Sequence, residues 1–218
     1  MTSSNTIVRN GMPFIGKVLE QVAPYMDKML VTISEKSSDG TVKEVQRVWE
    51  QYPDKILVDF ENVAIISELT GIRNRQLENT ETEWTLILDD DDWWPREELK
   101  KCLEKLDDLS VLAYSVSPFQ LIDNRHYDAA WFNKYFSKFL RTKDVRFINP
   151  WPQDLPADKE GRFLDKRIDI RNRVLPYRFF HLSRLKYASF RKEEWAVRWR
   201  KDIEHIGDLQ KLDREFVP

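Results

Sequence analysis

The stretch TEWTLILDDDDWWPREELKK, Thr82–Lys101, decides how the rest of the chain is read. A short apolar run ends in four consecutive aspartates, Asp89 to Asp92, and Trp93, Trp94 and Pro95 follow directly. Adjacent carboxylates repel one another, so a chain that gathers four of them at the end of a buried strand needs a counter-charge. A hard divalent cation, Mn2+ or Mg2+, is the natural one, because such ions take oxygen ligands. In an extended segment only alternate residues share a face. Asp89 and Asp91 are therefore expected on one side and Asp90 and Asp92 on the other, unless a turn begins within the run. This places Asp91 on the metal with Asp89 beside it, leaves Asp90 as the outward middle position, and gives Asp92 the role of capping the helix that Pro95 opens. A solvated acidic turn is the competing reading. An EF-hand loop is excluded, since its glycine and its late glutamate are missing at the required spacing.

Upstream, the chain alternates between strand and helix signals. NTIVRN, DKMLVTIS, KILVDF and WTLILD read as strands. Phe14, Ile15, Val18, Leu19 and Val22 fall on one helical face, and Val42, Val45 and Trp49 predict a second helix. IISELTGIRNRQLENT reads mostly as a third, and SSDGT between Ser34 and the second helix is turn chemistry, with Ser38 or Asp39 as a cap. Apolar strands separated by helices predict an α/β fold with a mainly parallel central sheet covered on both faces. Ligands in such sheets sit beyond the carboxyl ends of the strands, where the aspartate run lies. That position favours a site over a solvated turn.

Beyond the helix expected in REELKKCLEKL the pattern becomes less regular. SVLAYSVSPFQLI, VRFIN and RVLPYRFFHL look like strands, NPWPQDLPADKEGR like a long irregular loop, and the tail from Tyr187 like an amphipathic helix rich in charge and tryptophan. Cys102, the single cysteine, keeps helical step with Leu99, Leu103 and Leu106, which predicts a packed, inert thiol and no disulfide. A formal net charge of −2 gives no basic field for nucleic acid. With 41% hydrophobic residues among 218, the chain can bury a core. No signal region opens the sequence, and no run reaches the about 18 apolar residues of a membrane span. The expectation is a cytoplasmic protein without a transmembrane segment, able to work at a membrane surface.

Four elements, in this order and spacing, resemble the family 2 glycosyltransferases, inverting enzymes of the GT-A fold that use nucleotide-sugar donors. IVRNGMPFIGKVLEQVAPYMDKMLV is similar to the family's opening strand and helix, SEKSSDGT to its acidic turn, GIRNRQLENTETEW to its Arg-Asn helix, and LDDDDWWP to its metal motif. The likeness covers roughly Thr6 to Trp94, with weaker echoes up to Trp195. It implies a single GT-A domain over 1–218, with a nucleotide-sugar-binding half at 1–95 and an acceptor-binding half at 96–218 ending in a helical tail.

The resemblance also implies roles. Glu35 stands at the second place of the acidic pair that contacts the nucleoside, with Ser34 in place of the first acid. Val8 and Arg9 would line the base, and Arg73 would face the base or diphosphate and pair with the aspartates. Asp89 would reach the ribose, or the metal through water, and Asp90 would lie close to the donor. Trp93 and Trp94 read first as core, with the wall of a sugar pocket as the alternative. A late histidine often reaches the metal in this family, and His181 at the end of YRFFHL is the candidate, a neutral imidazole being a sound ligand for manganese. Arg184 and Lys186 would then hold the departing diphosphate. For the general base that inversion needs, Asp154 in the proline-rich loop is the choice, with Asp158, Glu160, Asp165 and Asp169 nearby.

The expected reaction is metal-dependent transfer of a sugar, from a UDP-sugar, to an acceptor hydroxyl of a glycan or another molecule. Nucleotidyl transfer is the first alternative, although RNGMP lacks the glycine-rich phosphate loop that chemistry favours. A non-catalytic nucleotide-sugar or glycan-binding module is the second.

Overall fold

The computed structural model describes residues 1–62, 68–108, 110–122, 126–131, 134–148, 155–164, 169–183 and 206–208. In its first half the elements are β1 (Thr2–Val8), α1 (Ile15–Val22), β2 (Lys28–Ser34), α2 (Thr41–Gln51), β3 (Ile56–Glu61), α3 (Leu69–Asn79), β4 (Trp84–Ile87), β5 (Asp92–Trp93) and α4 (Arg96–Leu103). In the second they are β6 (Ala113–Gln120), β7 (His126–Asp128), β8 (Phe136–Arg141), β9 (Val145–Ile148), β10 (Leu155–Asp158), β11 (Asn172–His181) and β12 (Ile206–Asp208).

Eight strands form one mixed sheet in the order β3-β2-β1-β4-β8-β6-β11-β5. β1, β2, β3 and β4 run parallel, and β6 is parallel to β11. β8 is antiparallel to both its neighbours, and β5 is antiparallel to β11. The order reverses at β1, which has β2 on one side and β4 on the other. In an open α/β sheet such a switch point leaves a crevice at the carboxyl ends of the two strands. Here the β1–α1 loop and the aspartate run stand at those ends, with Asp90 against Gly11.

Alternation along β4 divides the core. Trp84, Leu86 and Leu88 join a cluster with Val18, Leu19, Val45, Val48, Leu99 and Cys102 from α1, α2 and α4. Ile87 points the other way, into a smaller cluster with Leu77 of α3, Val145 and Phe147. The sheet is thus covered on both faces, as its apolar strands require. Cys102 is fully buried, and burial pushes its thiol well above the ordinary range, consistent with a packing role.

Four local expectations are corrected. In α2 the buried positions are Thr41, Val45 and Val48, whereas Val42 and Trp49 are exposed, because the helix turns Val48 rather than Trp49 onto α1. Leu155–Asp158, expected within an irregular loop, is a strand paired antiparallel with β9. Within the tail expected to be helical, Ile206–Asp208 pairs as a strand with β7, and the rest of the tail lies outside the described residues. The N-cap position of α2 is taken by Gly40, and Asp39 serves the helix start from one residue earlier, its carboxylate accepting from Thr41 N–H.

Asp39 and Thr41 also lace two loops together. Asp39 accepts from the backbone N–H of Met12 (3.1 Å) and of Thr41 (2.9 Å), and Thr41 Oγ1 accepts from Gly11 N–H (2.7 Å). This pulls the β1–α1 loop down at Gly11. A Cβ there would sit 2.5 Å from Val8 Cγ2, 2.9 Å from Asp90 Oδ2 and 3.0 Å from Ile15 Cβ. Gly11→Ala is therefore expected to cost about 1–3 kcal/mol through overpacking. The measure is a lower urea midpoint at unchanged slope, and an unmoved midpoint contradicts the crowding.

Candidate active site

The strand before the aspartates stops at Ile87, and the run itself is a turn, closed by Asp92 N–H donating to the Asp89 carbonyl (3.1 Å). The strict alternation expected for the four side chains therefore does not hold. Asp91 and Asp92 converge on one partner, while Asp89 and Asp92 converge on another. Asp90 stands beside Gly11 at the β1–α1 loop.

The first partner is His181. The antiparallel register of β5 on β11 sets His181 directly opposite Asp92, and Leu182 N–H donates to the Asp91 carbonyl (2.8 Å). His181 Nδ1 lies 3.0 Å from Asp92 Oδ1 and 3.4 Å from Asp91 Oδ1. Ligand atoms of Asp91, Asp92 and His181 all fall within 4.8 Å of one another. Burial disfavours charge on the imidazole, but Asp91 and Asp92 outweigh it and push its pKa up to about 9. Two carboxylates and an imidazole fit a manganese-like divalent ion better than a purely oxygen-seeking magnesium.

The second partner is Lys138 on β8, a residue that no local pattern in the sequence singles out. Its ammonium is 2.7 Å from Asp89 Oδ2 and 2.5 Å from Asp92 Oδ2, and 5.0 Å from the centre of the Phe179 ring. Burial would lower its pKa, but the two carboxylates reverse that and hold it above the ordinary lysine range. Burial likewise opposes ionisation of Asp89, yet Lys138 and Arg73 hold its carboxyl well below the usual carboxylate range. Asp92 is fully buried and does not cap α4, correcting the role expected of it: the N-cap of that helix is Pro95, with no side-chain cap. Asp92 Oδ2 also accepts from Asp89 N–H (3.1 Å), which fixes the turn.

Arg73 reaches Asp89 Oδ1 at 3.1 Å because α3 is anchored. Asn74 and the Phe147 backbone bond reciprocally (3.0 and 2.7 Å), clasping α3 to β9, and the Arg73 guanidinium stacks 5.4 Å over the Phe147 ring. Gln76 ties the same helix to Thr6 and Thr32. Val8, Arg9 and Glu35 do not take part in the contacts described for this network. Val8 is buried at the end of β1, Arg9 is exposed next to it, and Glu35 is exposed beyond the end of β2, its N–H donating to the Glu61 carbonyl (2.9 Å). Trp94 is core, stacked on Phe179 at 5.0 Å, and Trp93 packs beside Phe119 and Phe180.

Asp154, Arg184 and Lys186 lie outside the described residues, as does Asp165. Of the other acids near Asp154, Asp158 is bound by Arg171 (2.8 Å) and Arg162 (2.6 Å), and Asp169 by Arg171 (2.6 Å). Although burial opposes it, these cations hold the Asp158 carboxyl well below its ordinary range, and Arg171 lowers that of Asp169 as well. Neither is suited to accept a proton from a hydroxyl.

With this geometry in place, the chain can be compared with known proteins. No curated protein matches the sequence. Among solved structures, one similar fold is a mannosyltransferase, PcManGT, from Pyrobaculum calidifontis in complex with GDP-Man and Mn2+: 17% identity and TM-score 0.55 over 83% of this chain and 56% of that one. Another is TarS 1–349 from S. aureus in complex with UDP: 17% identity and TM-score 0.56 over 82% of this chain and 59% of that one. The same protein with UDP-GlcNAc aligns equally well, at 17% and 0.56 over 82% of this chain and 57% of that one. The chain thus spans about half to three-fifths of the length of these structures, which share its fold at low identity. The family described as Glycosyl transferase family 2 matches residues 10–158, more than half of the chain. That match takes in the β1–α1 loop from Asn10, Arg73, the four aspartates and Lys138, and ends before His181; the chain belongs to glycosyl transferase family 2.

Proposed function

We propose that the chain transfers a sugar, with inversion, from a nucleoside-diphosphate donor to an acceptor hydroxyl, with one divalent ion held by Asp91, Asp92 and His181. The observation that carries this is the convergence of two aspartates and a histidine beside the crevice where β1 and β4 end. When bound there, Mn2+ or Mg2+ would neutralise charge on the donor diphosphate and stabilise it as a leaving group. The residues of the chain do the rest. Asp92, pinned by Lys138, orients the His181 ring. Arg73, clamped by Asn74 and Phe147, sets Asp89 at the mouth of the crevice. Asp89 lies about one-third exposed there (36%), so it can still accept from a donor hydroxyl.

A UDP-sugar is the proposed donor. The fold does not choose the base, since its neighbours include proteins crystallised with GDP-Man and with UDP. The choice rests on Glu35, proposed to accept from a uracil N–H or a ribose hydroxyl, and on Arg73, proposed to face the base or diphosphate. UDP with Mn2+ is accordingly expected to stabilise the chain more than GDP does. A ligand at a hundred times its dissociation constant adds about 2.7 kcal/mol, so a thermal-shift titration separates the two readily. Equal shifts for UDP and GDP would remove the basis for naming uridine.

The proposed acceptor is a hydroxyl of a glycan or a similar molecule, bound on the side of the second half. Asp154 is retained as the proposed base. Arg184 and Lys186 are proposed for the diphosphate, following the His181 strand. No helix among the described residues is long and apolar enough to cross a membrane. A cytoplasmic site of action and a single domain across 1–218 complete the reading. Metal-dependent hydrolysis of the donor without acceptor would distinguish a transferase from a non-catalytic binding module.

A further inference from the structure

The aspartate run contains four carboxylates, and only some of them face the proposed ion. Arg73 sits on Asp89, and Lys138 bridges Asp89 and Asp92. The Lys138 side chain is 6% exposed and Asp92 is fully buried, so this is an interior contact rather than a surface ion pair. A lysine is almost never buried this far without a specific partner. On β8, a central strand of the sheet, the ammonium also lies 5.0 Å from the centre of the Phe179 ring.

We propose that Lys138 is a built-in second cation of the site: it occupies the position between Asp89 and Asp92 that a second divalent ion would otherwise fill, and so limits the site to one exchangeable ion beside Asp91 and His181. This rests on the reading that a divalent ion enters the site at all. Geometry supports it. Asp92 turns one oxygen to Lys138 and the other to His181, so the ammonium fixes the carboxylate that in turn orients the ring. Lys138 is thus a positioning residue, acting through Asp92 and Asp89.

The test is Mn2+ binding and thermal stability of Lys138→Met, Lys138→Arg and the double variant Lys138→Met with Asp92→Asn. Bound and free Mn2+ are counted by electron paramagnetic resonance in the presence of UDP. Wild type is expected to take one ion per chain. Lys138→Met leaves two carboxylates without the ammonium, one of them fully buried, so its melting temperature without metal should fall by about 10 °C. Mn2+ should restore most of that loss and a second ion should be counted. Lys138→Arg keeps the cation and should stay at one ion. The double variant removes both members of the buried pair and should melt well above Lys138→Met without any metal. If Lys138→Met does not fold without metal, refolding it with Mn2+ and the metal-free melting of the double variant give the same decision. Two ions in wild type, or a Lys138→Met variant with one ion and the same Mn2+ stabilisation as wild type, overturn the inference while leaving the metal reading standing. A wild-type chain that binds no Mn2+ with UDP present overturns the metal reading, and the inference with it.

Discussion

Asp91→Asn is expected to abolish Mn2+-dependent donor binding while leaving the fold intact. The residue is buried, 8% exposed, and its side chain faces His181 and Asp92. Asparagine keeps its shape and leaves the Asp91 backbone carbonyl free to accept from Leu182 N–H (2.8 Å), so the β5–β11 junction survives. What disappears is the charge on a ligand oxygen. In wild type, UDP at a hundred times its dissociation constant with Mn2+ should raise stability by about 2.7 kcal/mol, or roughly 5–10 °C for a chain of this size. In the variant the Mn2+-dependent part of that shift should vanish, and transfer should fall by at least about a hundredfold. Asp90→Asn is the control, because Asp90 stands against the β1–α1 loop at Gly11 and not in the group with His181. A variant Asp91→Asn that binds donor in Mn2+ as tightly as wild type would remove Asp91 from the metal.

His181 carries the second large effect and a pH signature that a purely structural histidine would not show. Among the described residues, Asp91 and Asp92 favour its charged form and Lys138 opposes it. The net result raises its pKa from 6.5 to about 9. In the metal-free chain the imidazolium is then ion-paired at neutral pH. Its stabilising contribution is complete below pH 6.5 and is lost as pH rises through about 9. Metal binding has the opposite sign, because an ion must displace the proton from Nδ1 or the ring must turn neutral. Apparent Mn2+ affinity should therefore rise by up to about tenfold per pH unit between pH 6.5 and 9. Over the same range the metal-free melting temperature should decline. His181→Ala should flatten both slopes and remove most donor binding that depends on Mn2+, while metal-free UDP binding changes little. If the variant is less stable but keeps the wild-type pH slope of Mn2+ affinity, His181 is structural only.

The two expectations meet at one junction, which the sequence approaches from both ends without joining. LDDDD announces a site because negative charge so concentrated after an apolar strand repels itself unless a cation is held there, and the end of RVLPYRFFHL offers a histidine. That the two meet depends on a register. β5 is only two residues long, and its antiparallel pairing puts His181 opposite Asp92. A two-residue strand leaves no periodic signal, and pairing across 89 positions is a tertiary event.

Much of the first half was legible because α1, β2, α2 and β4 bury regular apolar positions, and that pattern places the aspartates at a strand end. β1 was only partly so. Its first residues, Thr2 to Thr6, are polar yet buried, lying between β2 and β4 with Asn5 and Ser3 bonded to Thr80 and Thr82. Composition argues against burying such a run, and only the surrounding sheet satisfies part of it. Lys138 is the clearest case of what the sequence leaves open. In FSKFLR nothing local tells a solvent-facing lysine from a buried one, because a long amphipathic side chain suits either place. Only after β8 inserts between β4 and β6 does the ammonium meet Asp89 and Asp92. By itself the sequence determined the α/β order, the strand end that gathers the negative charge and the family the chain resembles. The tertiary structure decided which carboxylates face a fixed cation and which face His181, because that division depends on strands distant in sequence and adjacent in the sheet.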